Sequence, residues 1–200
     1  ETLFEYKAHL EANGIEVLGV TDHSVFQSIY FFDPNGHRLE LAAPGEGEAR
    51  LAASISALQV LHVQRSPSEG LAMMRMPPNQ CHANARFMVE NDPEGRCEQV
   101  TGWCPQNGNY VLHSVVRRDG EMFCVTPYPV PTSDTFEFIP DPDIEWIEED
   151  SGREAYKSGY RIECGIRLDP SETMRINDIV RRRIKAGVHP FKAGEPPFDD

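Results

Sequence analysis

Residues 28–41 read SIYFFDPNGHRLEL, and this stretch decides the fold of the first part of the chain. Its opening residues, Ser28 to Phe32, are rich in aromatic and β-branched side chains and favour a strand. Asp33-Pro34-Asn35-Gly36 predicts a tight turn, because proline fixes φ at the first corner and Asn-Gly tolerates positive φ at the next two positions. Arg38 to Ala42 is the returning strand. The stretch therefore predicts an antiparallel hairpin.

The residues before this hairpin predict a helix and one further strand. The apolar residues of the helix recur at helical spacing: Leu3, Tyr6 and Leu10. Asn13-Gly14 supplies a left-handed stop at the end of the helix. The additional strand is marked by its β-branched residues: Ile15, Val17 and Val20. The predicted order is one helix followed by three antiparallel strands.

Together with Gly19-Val20-Thr21-Asp22-His23, this stretch resembles the second half of a vicinal oxygen chelate module. That superfamily contains glyoxalases, extradiol dioxygenases and fosfomycin-resistance proteins, and its βαβββ modules pair to wrap a sheet around a divalent metal. The resemblance covers residues 1–45 and implies that Glu40, on the last strand, is a metal ligand. His23 would lie beside the site, where it orients a ligand or transfers a proton. Because side chains alternate along a strand, Glu40 is expected on one face of the sheet and its apolar neighbours Leu39 and Leu41 on the other.

The resemblance also implies a cofactor, a substrate and a partner. Carboxylate and imidazole ligands with open coordination positions suit Fe(II), Mn, Zn or Ni. The activity implied is that of a metal-dependent lyase or dioxygenase acting on a small oxygenated substrate. Such sites use three protein ligands, and the family histidine lies on a strand that precedes the helix. The site would therefore be completed by an N-terminal module or by a second copy of the chain in a homodimer.

The rest of the chain predicts a second unit, so the fold class is α+β. Residues 46–70 are interpreted as a connector, and residues 71–200 as a small α+β domain of unknown function. Within this domain, a helix is predicted near Cys81, and a hairpin pairs Val111–Val116 with Glu121–Thr126.

Two further expectations concern the second half of this domain. The proline-rich acidic stretch from Pro127 to Asp150 is expected to be mostly loop. Ser171 is expected to cap a last helix that ends at Gly187. The basic residues in its final turns are accounted for by the helix dipole.

A second functional hypothesis uses Cys81 and His113. A thiolate is favoured at a helix start, and a histidine on a strand can deprotonate the thiol. This layout resembles papain-like and transglutaminase-like cysteine enzymes, in which a Cys-bearing helix packs on a sheet that carries the His. Cys124 occupies the position where those families place an orienting Asp or Asn, and Gln80 is a candidate oxyanion donor. The alternative is that Cys81 and His113 are packed side chains.

Two other interpretations stay open. The thiol and imidazole groups of residues 81–113 form a candidate zinc site: Cys81, His82, Cys97, Cys104 and His113. No cysteine pair has the two-residue spacing of structural zinc motifs, so the signal is weak. The last alternative is a non-catalytic pairing module whose metal site has decayed.

Composition limits the partners and the compartment. The 200 residues carry 19 basic and 32 acidic side chains, a net charge of −13, which repels a nucleic-acid backbone. No apolar run reaches the length of about 20 residues that a membrane helix needs. Five cysteines at scattered spacings argue against a disulfide framework. These features predict a cytoplasmic protein that binds neither nucleic acid nor membrane; the small-molecule substrate is what the resemblance implies.

Overall fold

The computed structural model describes residues 3–44, 46–128, 133–150, 152–163 and 165–199. The fold is mixed α+β, as the sequence predicts. The helices are α1 (Leu3–Ala12), α2 (Glu46–Ser56), α3 (Ser68–Met73), α4 (Cys81–Glu90), α5 (Pro170–Lys185) and α6 (Pro190–Ala193). The strands are β1 (Val17–Asp22), β2 (Phe26–Phe32), β3 (Arg38–Pro44), β4 (Leu61–Arg65), β5 (Cys97–Gln106), β6 (Asn109–Arg118), β7 (Glu121–Cys124), β8 (Thr135–Pro140), β9 (Ile144–Glu149), β10 (Gly152–Lys157), β11 (Tyr160–Arg161) and β12 (Ile166–Arg167). Within the described residues, no helix is both long and apolar enough to cross a membrane.

The first unit is helix α1 followed by the antiparallel sheet β1-β2-β3, the order of elements predicted from the sequence. The apolar face of the sheet packs against α1. The cluster between them includes Leu3 of α1, Ile29 of β2 and Leu41 of β3. In the β2–β3 turn only Gly36 has a positive φ, at 83°, so the expectation of a second positive φ at Asn35 is wrong. The Asp33 carboxylate instead accepts the backbone N–H of Asn35 at 2.8 Å, which shapes the turn without a left-handed asparagine.

The second unit is a closed five-stranded barrel. The long hairpin β5–β6 pairs with β8, β8 pairs with β4, and β7 lies between β4 and β6, so the ring closes on itself. The predicted β6–β7 hairpin is confirmed. Side chains alternate along each strand, and the interior is filled by Val63, Val115, Cys124 and Phe138.

The barrel closes tightly at one glycine. A Cβ on Gly102 would lie 2.1 Å from the backbone oxygen of Ile139, a distance that real Cβ atoms do not reach. Strands β5 and β8 approach each other here because β5 has no side chain at this position.

The structure overturns two expectations in the second half of the chain. The stretch from Pro127 to Asp150 is not mostly loop, because it carries strands β8 and β9, although residues 129–132 lie outside the described part. Ser171 does not cap α5. The cap is Asp169, whose Oδ1 accepts the Glu172 N–H at 2.8 Å, with Pro170 in the first turn, where its missing N–H costs nothing.

The stretch interpreted as a connector contains α2, β4 and the first part of α3. Leu51 and Ile55 of α2 are fully buried in the largest apolar cluster, together with Val25 from the β1–β2 loop and Trp103 from the outer face of the barrel. Helix α2 thus lies between the sheet and the barrel. The domain boundaries at residues 45 and 70 stay predictions, and Gly45 lies outside the described residues.

Candidate functional site

Glu40 lies on β3 directly opposite Tyr30 of β2. Its Oε1 accepts hydrogen bonds from the hydroxyl groups of Ser28, at 2.6 Å, and Tyr30, at 3.0 Å. Leu41 points to the opposite face of the sheet, into the cluster with α1, as strand alternation predicts. Burial, together with the hydrogen bond to Glu40, raises the pKa of Tyr30, so the phenol remains a donor at neutral pH. The carboxylate of Glu40 is therefore fixed in orientation although the residue is exposed.

His23 is connected to Glu40 through the same tyrosine. Its Nε2 lies 3.0 Å from the Tyr30 hydroxyl, and its Nδ1 lies 3.5 Å from a carboxylate oxygen of Glu163. The ring also stacks on Phe26, with 4.7 Å between centroids. His23 does not touch Glu40 itself, so the structure puts it in a hydrogen-bonded chain that leads to the carboxylate.

Glu40 borders a cavity of about 250 Å³ between the sheet and the barrel. Arg167 and Asn109 form part of the opposite wall. Arg167 donates from Nε to the buried carboxylate of Glu48 at 2.9 Å, and a second guanidinium nitrogen binds the other carboxylate oxygen. Sequence reasoning missed Glu48 and Arg167, because 119 residues separate them and neither belongs to a motif.

The described residues do not supply a complete metal site. A catalytic divalent metal needs about three protein ligands. Within the described part of the chain, no three His, Cys, Asp or Glu side chains are grouped so that they could hold a metal ion. The candidate zinc cluster is not assembled either: Cys97 packs in the apolar cluster with Leu71 and Val116. Glu40 by itself can supply one ligand of a metal ion.

Cys81 is the first residue of α4, where the sequence places it. Burial raises the pKa of its thiol, although the backbone amides of Ser114 and His82 partly oppose this effect. The sulfur therefore faces backbone donors but stays protonated near pH 7. Gln80 precedes the helix and makes no side-chain cap bond there.

His113 faces the barrel interior and hydrogen-bonds to Cys124, with 3.3 Å between Nε2 and Sγ. It also meets the ring of Phe136 edge-on at 5.5 Å. Burial lowers the pKa of His113 to about 4, so the ring is neutral at pH 7. The thiol that His113 contacts is thus that of Cys124, and Cys81 lies at the start of the neighbouring helix.

His82, next to Cys81, belongs to a separate polar network. Its Nδ1 lies 2.8 Å from the hydroxyl of the buried Ser114, which also receives the Gln99 side-chain amide at 3.0 Å. Burial lowers the pKa of His82 to about 4. This network joins the start of α4 to strands β5 and β6.

Comparisons with protein-family models, with curated proteins and with solved structures find no match for this chain.

Proposed function

We propose that residues 1–45 are the metal-binding half of a vicinal oxygen chelate-type module, with Glu40 as one ligand of a divalent metal. The observation that carries the proposal is the carboxylate of Glu40, which two hydroxyl donors hold on one oxygen. A glutamate that only faces solvent on a strand needs no hydrogen bonds from neighbouring side chains. Metal-binding carboxylates, in contrast, are commonly oriented by hydrogen bonds from residues around the ligands. The order helix, strand, strand, strand supports the same proposal.

In this proposal, His23 and Tyr30 support the site without binding the metal. Tyr30 donates to the oxygen of Glu40 and is itself in contact with His23. The remaining ligands and the small oxygenated substrate come to Glu40 from outside the described residues, through a second copy of the chain or another module. Weak metal binding by the chain alone is the expected consequence.

Manganese binding followed by electron paramagnetic resonance tests this proposal. We expect weak Mn²⁺ binding by the wild-type chain, its loss in Glu40→Gln, and a decrease of about tenfold or more in Tyr30→Phe, which removes one supporting hydrogen bond. Glu145→Gln, at an exposed glutamate on β9, is the matched control and should bind like wild type. Binding that is absent at millimolar Mn²⁺, or that survives in Glu40→Gln, would contradict the proposal.

A second candidate is a cysteine-dependent hydrolase or transferase that uses Cys81 as nucleophile and His113 as base. The observation that favours it is the placement of the Cys81 sulfur at a helix start, where the amides of Ser114 and His82 act on it. His113, bonded to Cys124, would have to turn toward Cys81 for this role.

Iodoacetamide labelling at pH 7, followed by mass spectrometry of the peptides, tests this second candidate. If His113 activates Cys81, His113→Ala slows the labelling of Cys81 and leaves Cys97, which packs in a different cluster, unchanged. If Cys81 is only a packed side chain, it labels slowly in the wild type and faster once the substitution loosens its surroundings.

A further inference from the structure

One end of the barrel opens into a cavity of about 200 Å³, here called the barrel-end pocket. Its walls include Arg65, Cys104, Val111, His113, Tyr128 and Phe136. Arg65 is the last residue of β4, and its register partner in the parallel strand β7 is Cys124. The pocket is on the barrel and shares no wall residue with the cavity beside Glu40.

The guanidinium of Arg65 lies between two aromatic walls. Its guanidinium carbon is 4.6 Å from the ring centre of Tyr128 and 4.5 Å from that of Phe136. Its Nε is buried and has no hydrogen-bond partner among the described residues. A buried donor without an acceptor raises the free energy of the folded state. Aromatic rings can stack on the faces of a guanidinium, but they do not accept hydrogen bonds from its N–H groups as a carboxylate does.

The imidazole of His113 and the thiol of Cys104 carry no charge at neutral pH. Burial lowers the pKa of His113 to about 4 and raises the pKa of the Cys104 thiol. The nearby carboxylate of Glu137 is on the exposed side of β8. In a chain of net charge −13, Arg65 is therefore the one cation among the described walls of the pocket, and within the described residues no carboxylate pairs with its side chain.

Size and polarity restrict that anion. The cavity has the volume of roughly seven water molecules, at about 30 Å³ each, which suits a small ligand. Apart from Arg65, the polar walls are the neutral His113 and Gln106, whose amide donates to the Tyr128 hydroxyl at 3.2 Å; the remaining walls are aromatic, aliphatic or thiol groups, which favour an apolar body over a bare phosphate. A planar guanidinium matches a planar carboxylate.

We infer that the barrel-end pocket binds a small monocarboxylate with a short apolar body, whose carboxylate accepts hydrogen bonds from the terminal N–H groups of the Arg65 guanidinium. The apolar part lies against Tyr128, Phe136 and Val111. This site shares no wall residue with the cavity beside the proposed metal ligand Glu40, whereas its wall residue His113 is also the base of the second candidate function.

Calorimetry with benzoate as the probe, and benzamide as its neutral isostere, tests the inference. We expect benzoate to bind the wild-type protein and benzamide to bind much more weakly. Arg65→Gln should weaken benzoate binding by roughly ten- to a hundredfold, which is the effect of losing a charged hydrogen-bond donor. Arg65→Lys should retain part of the affinity. Arg153→Gln removes another arginine that lies over an aromatic ring, 4.9 Å from the centre of Trp146, and should leave binding unchanged.

Labelling of Cys104 gives a second readout that needs no variant. Cys104 lines the pocket and is half-buried, so saturating benzoate should slow its alkylation by iodoacetamide while Cys81, outside the pocket, keeps its rate. Equal binding of benzoate and benzamide, or alkylation of Cys104 that no carboxylate from acetate to benzoate slows, would overturn the inference. If Arg65→Gln does not fold, the protection experiment on the wild-type protein decides.

Discussion

The closed barrel and the open sheet β1–β3 differ in how far they expose polar side chains to water. Inside the barrel, His113 and Cys124 face each other away from water, and burial keeps both neutral at pH 7. On the open sheet, Glu40 stays exposed, and its carboxylate is oriented by hydroxyl groups. Closure of a sheet removes water from one face and with it the solvation of charge. An open sheet keeps that solvation and can present an ion.

The two regions also differ in how tightly they are packed. The interior of the barrel is filled by side chains that are almost completely inaccessible, such as Val115 and Phe138. The sheet leaves large apolar residues in contact with solvent: Leu18 is 47% exposed and Phe32 is 51% exposed. Substitutions that add volume should therefore be costly in the barrel and mild in the sheet.

The largest effect is expected from Gly102→Val. The new side chain would overlap the backbone of Ile139, which cannot move without separating β5 from β8. We expect a loss of about 3 kcal/mol or more in the free energy of unfolding, measured by urea denaturation. Gly70→Ala, in α3 with open space around the new Cβ, is the control and should change stability little. A Gly102→Val protein as stable as wild type would mean that the barrel is not closed at this point.

The next largest effect is expected where β10 meets the barrel. Lys157 is 2% exposed, and its ammonium lies 2.8 Å from a carboxylate oxygen of Asp141; the same carboxylate accepts the indole N–H of Trp103 at 2.7 Å. Asp141→Asn leaves the buried ammonium without its main counter-charge and should cost about 3 kcal/mol.

The matched control for the buried pair is an exposed one. Glu98→Gln breaks the surface pair with Arg117 on the β5–β6 hairpin and should cost less than about 1 kcal/mol. Equal effects of the two substitutions in urea denaturation would contradict the burial of the Lys157–Asp141 pair.

Acidification should weaken the barrel between pH 6.5 and pH 4. The pKa of both His82 and His113 is about 4 in the folded chain because of burial, against an ordinary value of 6.5. The unfolded chain therefore takes up protons first, so stability is complete above about pH 6.5 and falls as the pH approaches 4. Each histidine contributes on the order of 3 kcal/mol to this loss.

The pH experiment compares urea denaturation of the wild type, His82→Gln and His113→Gln at several pH values. Each variant should show a shallower decline than the wild type. Asp92 does not contribute in this window, because the backbone amides of Cys97, Glu94 and Arg96 outweigh its desolvation and hold its pKa at about 2. Stability that is constant from pH 7 to pH 4.5 would show that the two imidazoles are solvated.

The smallest effect is expected in the open sheet. Gly36 has a φ of 83° in the β2–β3 turn, with open space around it. Gly36→Val should cost about 1 kcal/mol, because a β-branched residue resists positive φ. Gly194→Ala, which has open space and no positive φ, is the control. An unchanged unfolding midpoint for Gly36→Val would contradict the positive φ of Gly36 in the β2–β3 turn.

Local signals predicted the helices and hairpins that short-range chemistry determines. The β2–β3 turn, the β6–β7 turn at Asp119-Gly120 and the end of α5 at Gly187 follow from residues that tolerate positive φ. The prediction failed for β8 because Thr135–Pro140 forms a strand only by pairing with β4 and β5, which are distant in the chain. Ser171 failed as a cap because Asp169, two residues earlier, offers a carboxylate and is followed by Pro170.

For the candidate sites, the sequence by itself determined the kind of chemistry: a strand carboxylate at Glu40, a thiol at the start of α4, and an acidic chain. Only the tertiary structure decided which groups meet. It joins His113 to Cys124, Arg167 to Glu48, and Arg65 to the rings of Tyr128 and Phe136. These partners are far apart or lie on different strands, and contacts of this kind depend on how the barrel closes. Residue type is local information, whereas burial and pairing arise from packing over the whole chain.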